Sequence, residues 1–143
     1  MRAPRRTAGY TLPEVTMVVI IIGVLAFGVT GSYALAAEQL RVDQAAGTMH
    51  SVWIAQRLYK LEHKTFAPDL ETLADALYLE QGLGTKTEPF SYLITAADSD
   101  EFTVQCVRNG SNVWLGNMNL NHNGLMWGSI LGAGKIVSPT TLK

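Results

Sequence analysis

The chain has 143 residues, of which 48% are hydrophobic, and it carries a net charge of −1 with a single cysteine. This length suffices for one domain of ordinary size and is too short for two full ones. One cysteine excludes an intramolecular disulfide, and with only three histidines it cannot build a zinc site at standard spacing. No glycine-rich phosphate loop, HExxH motif or nucleophile elbow occurs. We therefore predict that the chain is not an enzyme and needs no cofactor.

The first nine residues form a short basic leader. They contain Arg2, Arg5 and Arg6 and no acid, and they end in the small pair Ala8-Gly9. In a secretory signal peptide the small-residue cleavage site follows the apolar region, whereas here it precedes that region. The arginines are expected to hold the N-terminus in the cytoplasm. A twin-arginine export signal is disfavoured, because the apolar run that follows is too long and has an acid near its start.

Residues 15–37 form an apolar run of 23 residues without a charge. A helix needs about 20 apolar residues to cross the hydrocarbon layer, so the run predicts a transmembrane helix. Glu14 lies just before it, and an acid at the centre of a spanning helix costs about 2.5–3.5 kcal/mol. One interpretation makes Glu14 an interfacial residue without a further role. The other pairs it with the α-amine that a cut after Gly9 would create at Tyr10, four residues before Glu14.

The segment GYTLPEV at 9–15, followed by MVVIIIGVLA at 17–26, resembles the prepilin processing and methylation signature of the type IV pilin superfamily. The resemblance covers about residues 5–35. It implies that a membrane-embedded prepilin peptidase cuts after Gly9 and methylates Tyr10. It also implies that Glu14 pairs with the N-terminal amine of a neighbouring subunit during filament assembly.

The chain departs from the signature at a few positions. Tyr10 stands where phenylalanine is usual, and Pro13 replaces an aliphatic residue but is acceptable in the first helical turn. Many members carry a proline at the position of Gly31. Together with Gly23 and Gly28, this glycine either loosens the helix or lets helices pack closely, and the sequence does not choose between these interpretations.

Helical sequence continues past the apolar run, because no proline occurs between Pro13 and Pro68. The spacing of apolar residues predicts a helix from about Tyr10 to His63, with Gly47 as a weak point. Two neighbouring stripes follow this helix, the first interrupted by Gln56: Ala45, Met49, Val52 and Tyr59, then Ile54, Leu58 and Leu61.

A short helix and a series of strands follow. Asp69 is predicted to cap the short helix, whose inner face carries Leu70, Leu73 and Leu77. After a loop at 82–89 the hydrophobic period changes to two, which indicates strands. The predicted strands lie at 90–95, 102–108, 113–120 and 125–131, with turns at 98–101 and 121–124. The tail at 132–143 is predicted to be a loose end or a short edge strand.

The element order predicts an α+β fold. With the resemblance, it predicts a pilin-like protein whose long N-terminal α-helix has an apolar transmembrane half and an amphipathic distal half. This helix is expected to pack on a roughly four-stranded antiparallel sheet. The predicted regions are a leader at 1–9, a transmembrane or filament-core helix at 10–37, and a globular head at 38–143 that includes the distal half of the helix.

The remaining polar clusters predict no metal site. Asp98, Asp100 and Glu101 could offer oxygens to Ca²⁺, but spaced ligands and a closing bidentate acid are missing, so a solvated turn is favoured. Cys106 is interpreted as a buried, inert thiol.

The histidines and tryptophans also favour structural roles. The histidines are interpreted as surface or satisfied side chains rather than catalytic ones. The tryptophans are interpreted as core or interface packing rather than a stacking platform, which disfavours nucleic acid as a partner without excluding it. These residues are His50, His63, His122, Trp53, Trp114 and Trp127.

The predicted function is a structural subunit of a type IV pilus-like filament, either a minor pilin or one that lacks a disulfide. The alternative within the superfamily is a pseudopilin of a type II secretion system. The acid-free tail argues against the calcium-binding pseudopilin subtype. A hypothesis of another class is a membrane-anchored binding module that never polymerises, which would keep its leader.

The resemblance also implies partners and a location. The partners are the prepilin peptidase, other pilin or pseudopilin subunits, an inner-membrane assembly platform and membrane lipid. The expected location is the bacterial inner membrane, as a single-pass precursor with a cytoplasmic N-terminus, and then a periplasmic or extracellular filament.

Overall fold

The computed structural model describes residues 9–140, without the side chains of residues 27–32. Most of the predicted leader, the end of the tail, and the surroundings of Gly28 and Gly31 therefore lie outside what is described. The chain divides into two compact units, Met1–Ala36 and Ala37–Lys143.

Two helices and five strands occur among the described residues. Helix α1 spans Leu12–His63 and helix α2 spans Leu70–Asp75. The strands are β1 (Phe90–Ala97), β2 (Phe102–Arg108), β3 (Leu115–Asn121), β4 (Met126–Gly132) and β5 (Lys135–Val137). They form one antiparallel sheet in the order β1-β2-β3-β4-β5.

The structure contradicts the predicted fold class in two respects. The sheet has five strands in the described part of the chain, not about four, because the tail contributes β5 at the edge. Over the same residues, no helix is both long and apolar enough to cross a membrane. The predicted transmembrane half is therefore wrong for the residues that the structure describes.

The core of the second unit lies between α1 and the inner face of the sheet. The first predicted stripe is confirmed at Ala45, Met49 and Val52, which are all buried, whereas its last member, Tyr59, is half-buried. Alternate residues of β2 and β3 face them: Phe102, Val104, Cys106, Met118 and Leu120. The second predicted stripe on α1 is exposed, so it does not belong to this core.

Gln56 does not interrupt the buried stripe but belongs to it. Its side chain is completely buried, and its amide nitrogen donates to the Ala67 carbonyl at 2.9 Å. Its amide oxygen accepts from the Ala67 N–H at 2.8 Å. This exchange satisfies both backbone polar groups of buried Ala67 just beyond the end of α1, so the chain reversal there is fixed by a side chain.

Helix α2 begins where it was predicted to begin, directly after Asp69, and it ends earlier than expected. The Asp69 carboxylate accepts from the Thr72 N–H at 2.7 Å, which confirms the predicted N-cap. Leu70 and Leu73 are buried as predicted. Leu77 is 84% exposed, because the helix ends at Asp75 and Leu77 has a left-handed φ of 63°. The prediction for Leu77 was therefore wrong.

The tail is bound to α1 after β5. The Asp43 carboxylate accepts from the Thr140 N–H at 2.9 Å and from its hydroxyl at 3.0 Å. Gln39 donates to the Ser138 carbonyl at 2.8 Å. Val137 is also buried. The choice that the sequence left open for the tail is thus resolved in favour of a short edge strand held by α1.

Candidate functional site

Thr11 directly precedes α1 and accepts its first backbone hydrogen bonds. Its carbonyl accepts the first helical hydrogen bonds, from Glu14 N at 3.0 Å and Val15 N at 3.2 Å. Pro13 is the second residue of the helix, where a backbone N–H would have no intrahelical partner. The proline therefore costs no hydrogen bond, and the helix begins one residue before it.

Glu14 folds back on this first turn. Its carboxylate atom Oε2 accepts from the Thr11 N–H at 3.3 Å and lies 3.4 Å from the Thr11 hydroxyl. An acid that reaches back to the cap residue three positions earlier is one arm of a capping box. The interpretation of the sequence missed this role, although the Thr11-x-x-Glu14 spacing at the start of an apolar helix was its signal. Glu14 therefore has a local partner as well as the predicted partner in a neighbouring subunit.

The predicted cleavage position lies just before this turn. Gly9 and Tyr10 precede the helix and are exposed, with Tyr10 85% accessible. A Cβ added at Gly9 would meet no atom within 4 Å. Gly9, Tyr10 and Glu14 thus lie within six residues of one another at the exposed start of α1. No described atom packs against Gly9 in a way that would require a glycine there.

The helix that follows is apolar on every side. Nine large apolar side chains between Val15 and Leu25 are each at least 50% exposed. They are Val15, Met17, Val18, Val19, Ile20, Ile21, Ile22, Val24 and Leu25. A helix with an apolar surface all round is normally buried. Covering this exposed surface would contribute on the order of 10 kcal/mol, at about 1.5–3 kcal/mol for each fully buried side chain.

The acidic turn between β1 and β2 has a structural role. The Asp98 carboxylate accepts from the N–H groups of Glu101 and Asp100, both at 2.7 Å. These hydrogen bonds, from Glu101 first and then Asp100, lower the pKa of Asp98. Among the described residues, no group of three or more His, Cys, Asp or Glu side chains could hold a metal ion. The hydrogen bonds of Asp98 and the pairing of β1 with β2 confirm that this segment is a turn.

Cys106 is enclosed in the core of the second unit. It is completely buried and pairs with Tyr92 across β1 and β2. Burial raises the pKa of its thiol to about 12. A thiol that stays protonated and inaccessible is neither a nucleophile nor available for a disulfide with another chain.

The tryptophans and histidines pack against other groups near the surface. Trp53 donates to the His122 carbonyl at 3.0 Å, and the Arg57 guanidinium lies 4.8 Å from its ring centroid. His63 stacks on Tyr59 with ring centroids 4.0 Å apart. The indole of Trp127, by contrast, is 45% exposed on the outer face of the sheet.

A buried ion pair was missing from the sequence predictions. Glu38 on α1 is fully buried and accepts from Arg108 on β2 at 2.5 Å and 3.2 Å. Burial alone would raise the pKa of Glu38, but hydrogen bonds and charges from Arg108 and Arg41 outweigh it and lower the pKa. The only sequence signal was that Glu38 is the first charge after the apolar run. This pair serves the second unit and contacts none of Gly9, Tyr10 or Glu14.

Two comparisons with known proteins found no match. No model of a known protein family matches the chain, and no curated protein is significantly similar to it. The resemblance in residues 5–35 therefore stays a prediction, and the functional argument depends on the geometry of the N-terminal turn and the apolar helix.

Proposed function

We propose that the chain is a structural subunit of a type IV pilus-like filament. A prepilin peptidase would cut it after Gly9, and subunits would assemble through their N-terminal helices. The observation that carries this proposal is the apolar surface of α1 between Val15 and Leu25, exposed on all sides and preceded by Glu14. The subunit itself performs no catalysis in this scheme.

The exposed helix favours assembly over an isolated subunit. Its apolar side chains point in every direction, so one partner surface could cover only part of them. A bundle of identical helices covers all sides, and it places a neighbour's N-terminus near each Glu14. The new amine at Tyr10 would neutralise this carboxylate where water is excluded, because a buried charge needs a partner.

A filament without disulfides agrees with the environment of Cys106. The single thiol is buried in the second unit, so it cannot join subunits covalently without unfolding. We therefore favour a minor pilin or a disulfide-free pilin. The proposed partners are the peptidase, an inner-membrane assembly platform, lipid and further subunits. The precursor would be located at the inner membrane, and the filament in the periplasm or outside the cell.

The cleavage step is tested by changing Gly9 to leucine. The precursor is expressed with a prepilin peptidase, and intact-mass measurement reports whether residues 1–9 are lost and Tyr10 is methylated. We expect the wild type to mature and Gly9→Leu to keep Met1. Because a Cβ added at Gly9 meets no described atom within 4 Å, such a failure would reflect peptidase recognition rather than misfolding.

Gly47 offers a matched control for this substitution. It is exposed on α1, and a Cβ there also meets no atom within 4 Å. Gly47→Leu should mature normally. Normal maturation of Gly9→Leu would refute the proposal, and an uncleaved wild type would support the non-polymerising anchor instead.

The role of Glu14 is tested by comparing glutamine with leucine. Glutamine at this position can still accept from the Thr11 N–H, because both Glu and Gln complete a capping box, but it carries no charge. Leucine removes both functions. If Glu14 pairs with a neighbour's amine, Glu14→Gln and Glu14→Leu should both lose filaments. If it only caps its own helix, Glu14→Gln should assemble like the wild type, and the pairing would be refuted.

A further inference from the structure

One side of the second unit has an acidic depression, defined here by Asp69, Glu71 and Asp75. Its volume is about 520 Å³, and apolar side chains including Leu70 and Leu83 line it together with the carboxylates. No described lysine or arginine lines it. Glu71 and Asp75 are exposed. The depression therefore combines exposed negative charges with an apolar lining, called its apolar floor below.

Another side has a basic groove, defined here by Arg57, Lys60 and Lys64. Its volume is about 490 Å³, and Asp100 is the one carboxylate among its lining residues. Leu61 lies in the same groove and is 70% exposed. The groove thus combines three cations with a protruding apolar side chain.

Within residues 9–140, none of these charged side chains forms an ion pair. Both ion pairs found among the described residues end on Glu38. Two of the basic side chains are instead positioned by aromatic rings: Arg57 lies over Trp53, and the Lys60 ammonium is 4.3 Å from the Phe66 centroid. Side chains held in this way lose less conformational entropy when they bind a partner.

The basic groove and the segment that leads to the acidic depression border different flanks of α1. The basic groove is lined by positions 57, 60 and 64 together with His122 and Asn123 of the β3–β4 turn. The opposite flank, with Gln44, Thr48 and Ser51, borders the segment at 77–83 that leads to the acidic depression. Contact between two different surfaces of identical subunits is heterologous, and its repetition generates a closed ring or an open array.

We propose that the basic groove of one subunit docks on the acidic depression of a second copy of this chain. This inference rests on the proposed filament function and names a contact between its heads. Leu61 enters the apolar floor of the depression, while Arg57 and Lys64 face Glu71 and Asp75. The charges give the contact its orientation, and the apolar insertion contributes to its stability.

Cysteine cross-linking of the full-length chain tests this contact. The variant that carries both Leu61→Cys and Leu83→Cys is oxidised and separated without reductant. We expect a ladder of dimers, trimers and larger species. Leu61→Cys alone and Leu83→Cys alone should give no ladder, and buried Cys106 should not react. No ladder from the double variant, or dimers from either single variant, would overturn the proposal.

Charge reversal in the cross-linkable chain tests the orientation. Glu71→Lys with Asp75→Lys should weaken the ladder about fivefold or more, since exposed ion pairs contribute up to about 1 kcal/mol each and reversal adds repulsion. Adding Arg57→Glu and Lys64→Glu to that chain should restore it. The inference would be contradicted if the first charge reversal left the amount of cross-linked species unchanged, or if the second reversal did not restore it.

A control variant and a separate readout keep the two proposals apart. Lys135→Glu changes an exposed charge on β5, outside both surfaces, and should leave the ladder unchanged. Processing after Gly9 is read from the N-terminus and assembly from the Glu14 variants. Normal processing and Glu14-dependent assembly without a ladder would overturn only the head contact. An unprocessed chain would overturn the filament function, whatever the ladder shows.

Discussion

The buried pair of Glu38 and Arg108 leads to the strongest stability prediction. Two guanidinium nitrogens of Arg108 donate to the Glu38 carboxylate. The guanidinium also donates to the Pro89 carbonyl at 3.0 Å and to the Asn109 carbonyl. Its guanidinium lies 5.3 Å from the Phe90 ring centroid. One side chain of β2 thereby holds α1 and the start of β1 together.

Removing the carboxylate alone should be costly. Glu38→Ala leaves a guanidinium that is only 5% exposed without its counter-charge. Breaking a buried pair in this way costs about 3–5 kcal/mol, which is a large part of the roughly 5–15 kcal/mol that stabilises a typical domain. For a unit of about 100 residues this loss lowers Tm by roughly 12–40 °C. Replacing both partners, with Glu38→Leu and Arg108→Met, should recover most of the loss, because no buried charge is left.

Urea unfolding followed by tryptophan fluorescence measures this effect. All three tryptophans lie in the second unit, so the signal reports on the unit that contains the pair. Arg41→Ala is a matched control, since Arg41 contacts the same carboxylate at 2.9 Å but is half exposed, and its loss should cost about 0–1 kcal/mol. A Glu38→Ala loss no larger than the Arg41→Ala loss would refute the reasoning. So would a double variant that is no more stable than Glu38→Ala.

The same pair predicts a pH dependence. The pKa of Glu38 in the folded protein lies below its ordinary value of 4.5, so the unfolded chain binds this proton more readily. The stabilisation is therefore complete above about pH 4.5 and is lost as the pH falls through the lowered pKa. The double apolar variant should lack this part of the acid destabilisation, which unfolding curves at several pH values would show.

Three further predictions concern the second unit. Gln56→Leu should cost about 1–3 kcal/mol for each group of Ala67 left unpaired in the core, as measured by urea unfolding, and Gln56→Glu should restore only the bond from the Ala67 N–H. Cys106 should resist maleimide labelling in the folded protein at pH 8 and react fully in urea, because burial raises its thiol pKa to about 12; rapid labelling without denaturant would contradict its placement. Asp43→Ala should speed amide exchange at Thr140 without changing exchange at Ala67, and equal exchange before and after substitution would show that the tail is held by other contacts.

Local patterns predicted the local features well. The bounds of β2 follow directly from its alternating apolar residues, and the Asp69 cap follows from the residue type before an apolar helix. The prediction that Leu77 is buried was wrong, because helical spacing predicts which face of a helix is apolar but not where the helix ends. The buried ion pair could not be found in this way, since its partners are 70 residues apart and nothing local to Glu38 indicates Arg108.

Glu14, Glu38 and Gln56 are polar residues that lie beside or among apolar positions of α1, and each has a specific partner. Gln56 and Glu38 are buried, and their shortest contacts are 2.8 Å and 2.5 Å. Glu14 differs, because its contacts to Thr11 are 3.3 Å and 3.4 Å and lie in an exposed turn. Long, solvated hydrogen bonds contribute little, so exchanging them for an amine at a helix–helix contact would cost little. The weakness of the Glu14 contact therefore favours a second partner, and this is the reason to compare Glu14→Gln with Glu14→Leu rather than testing leucine alone.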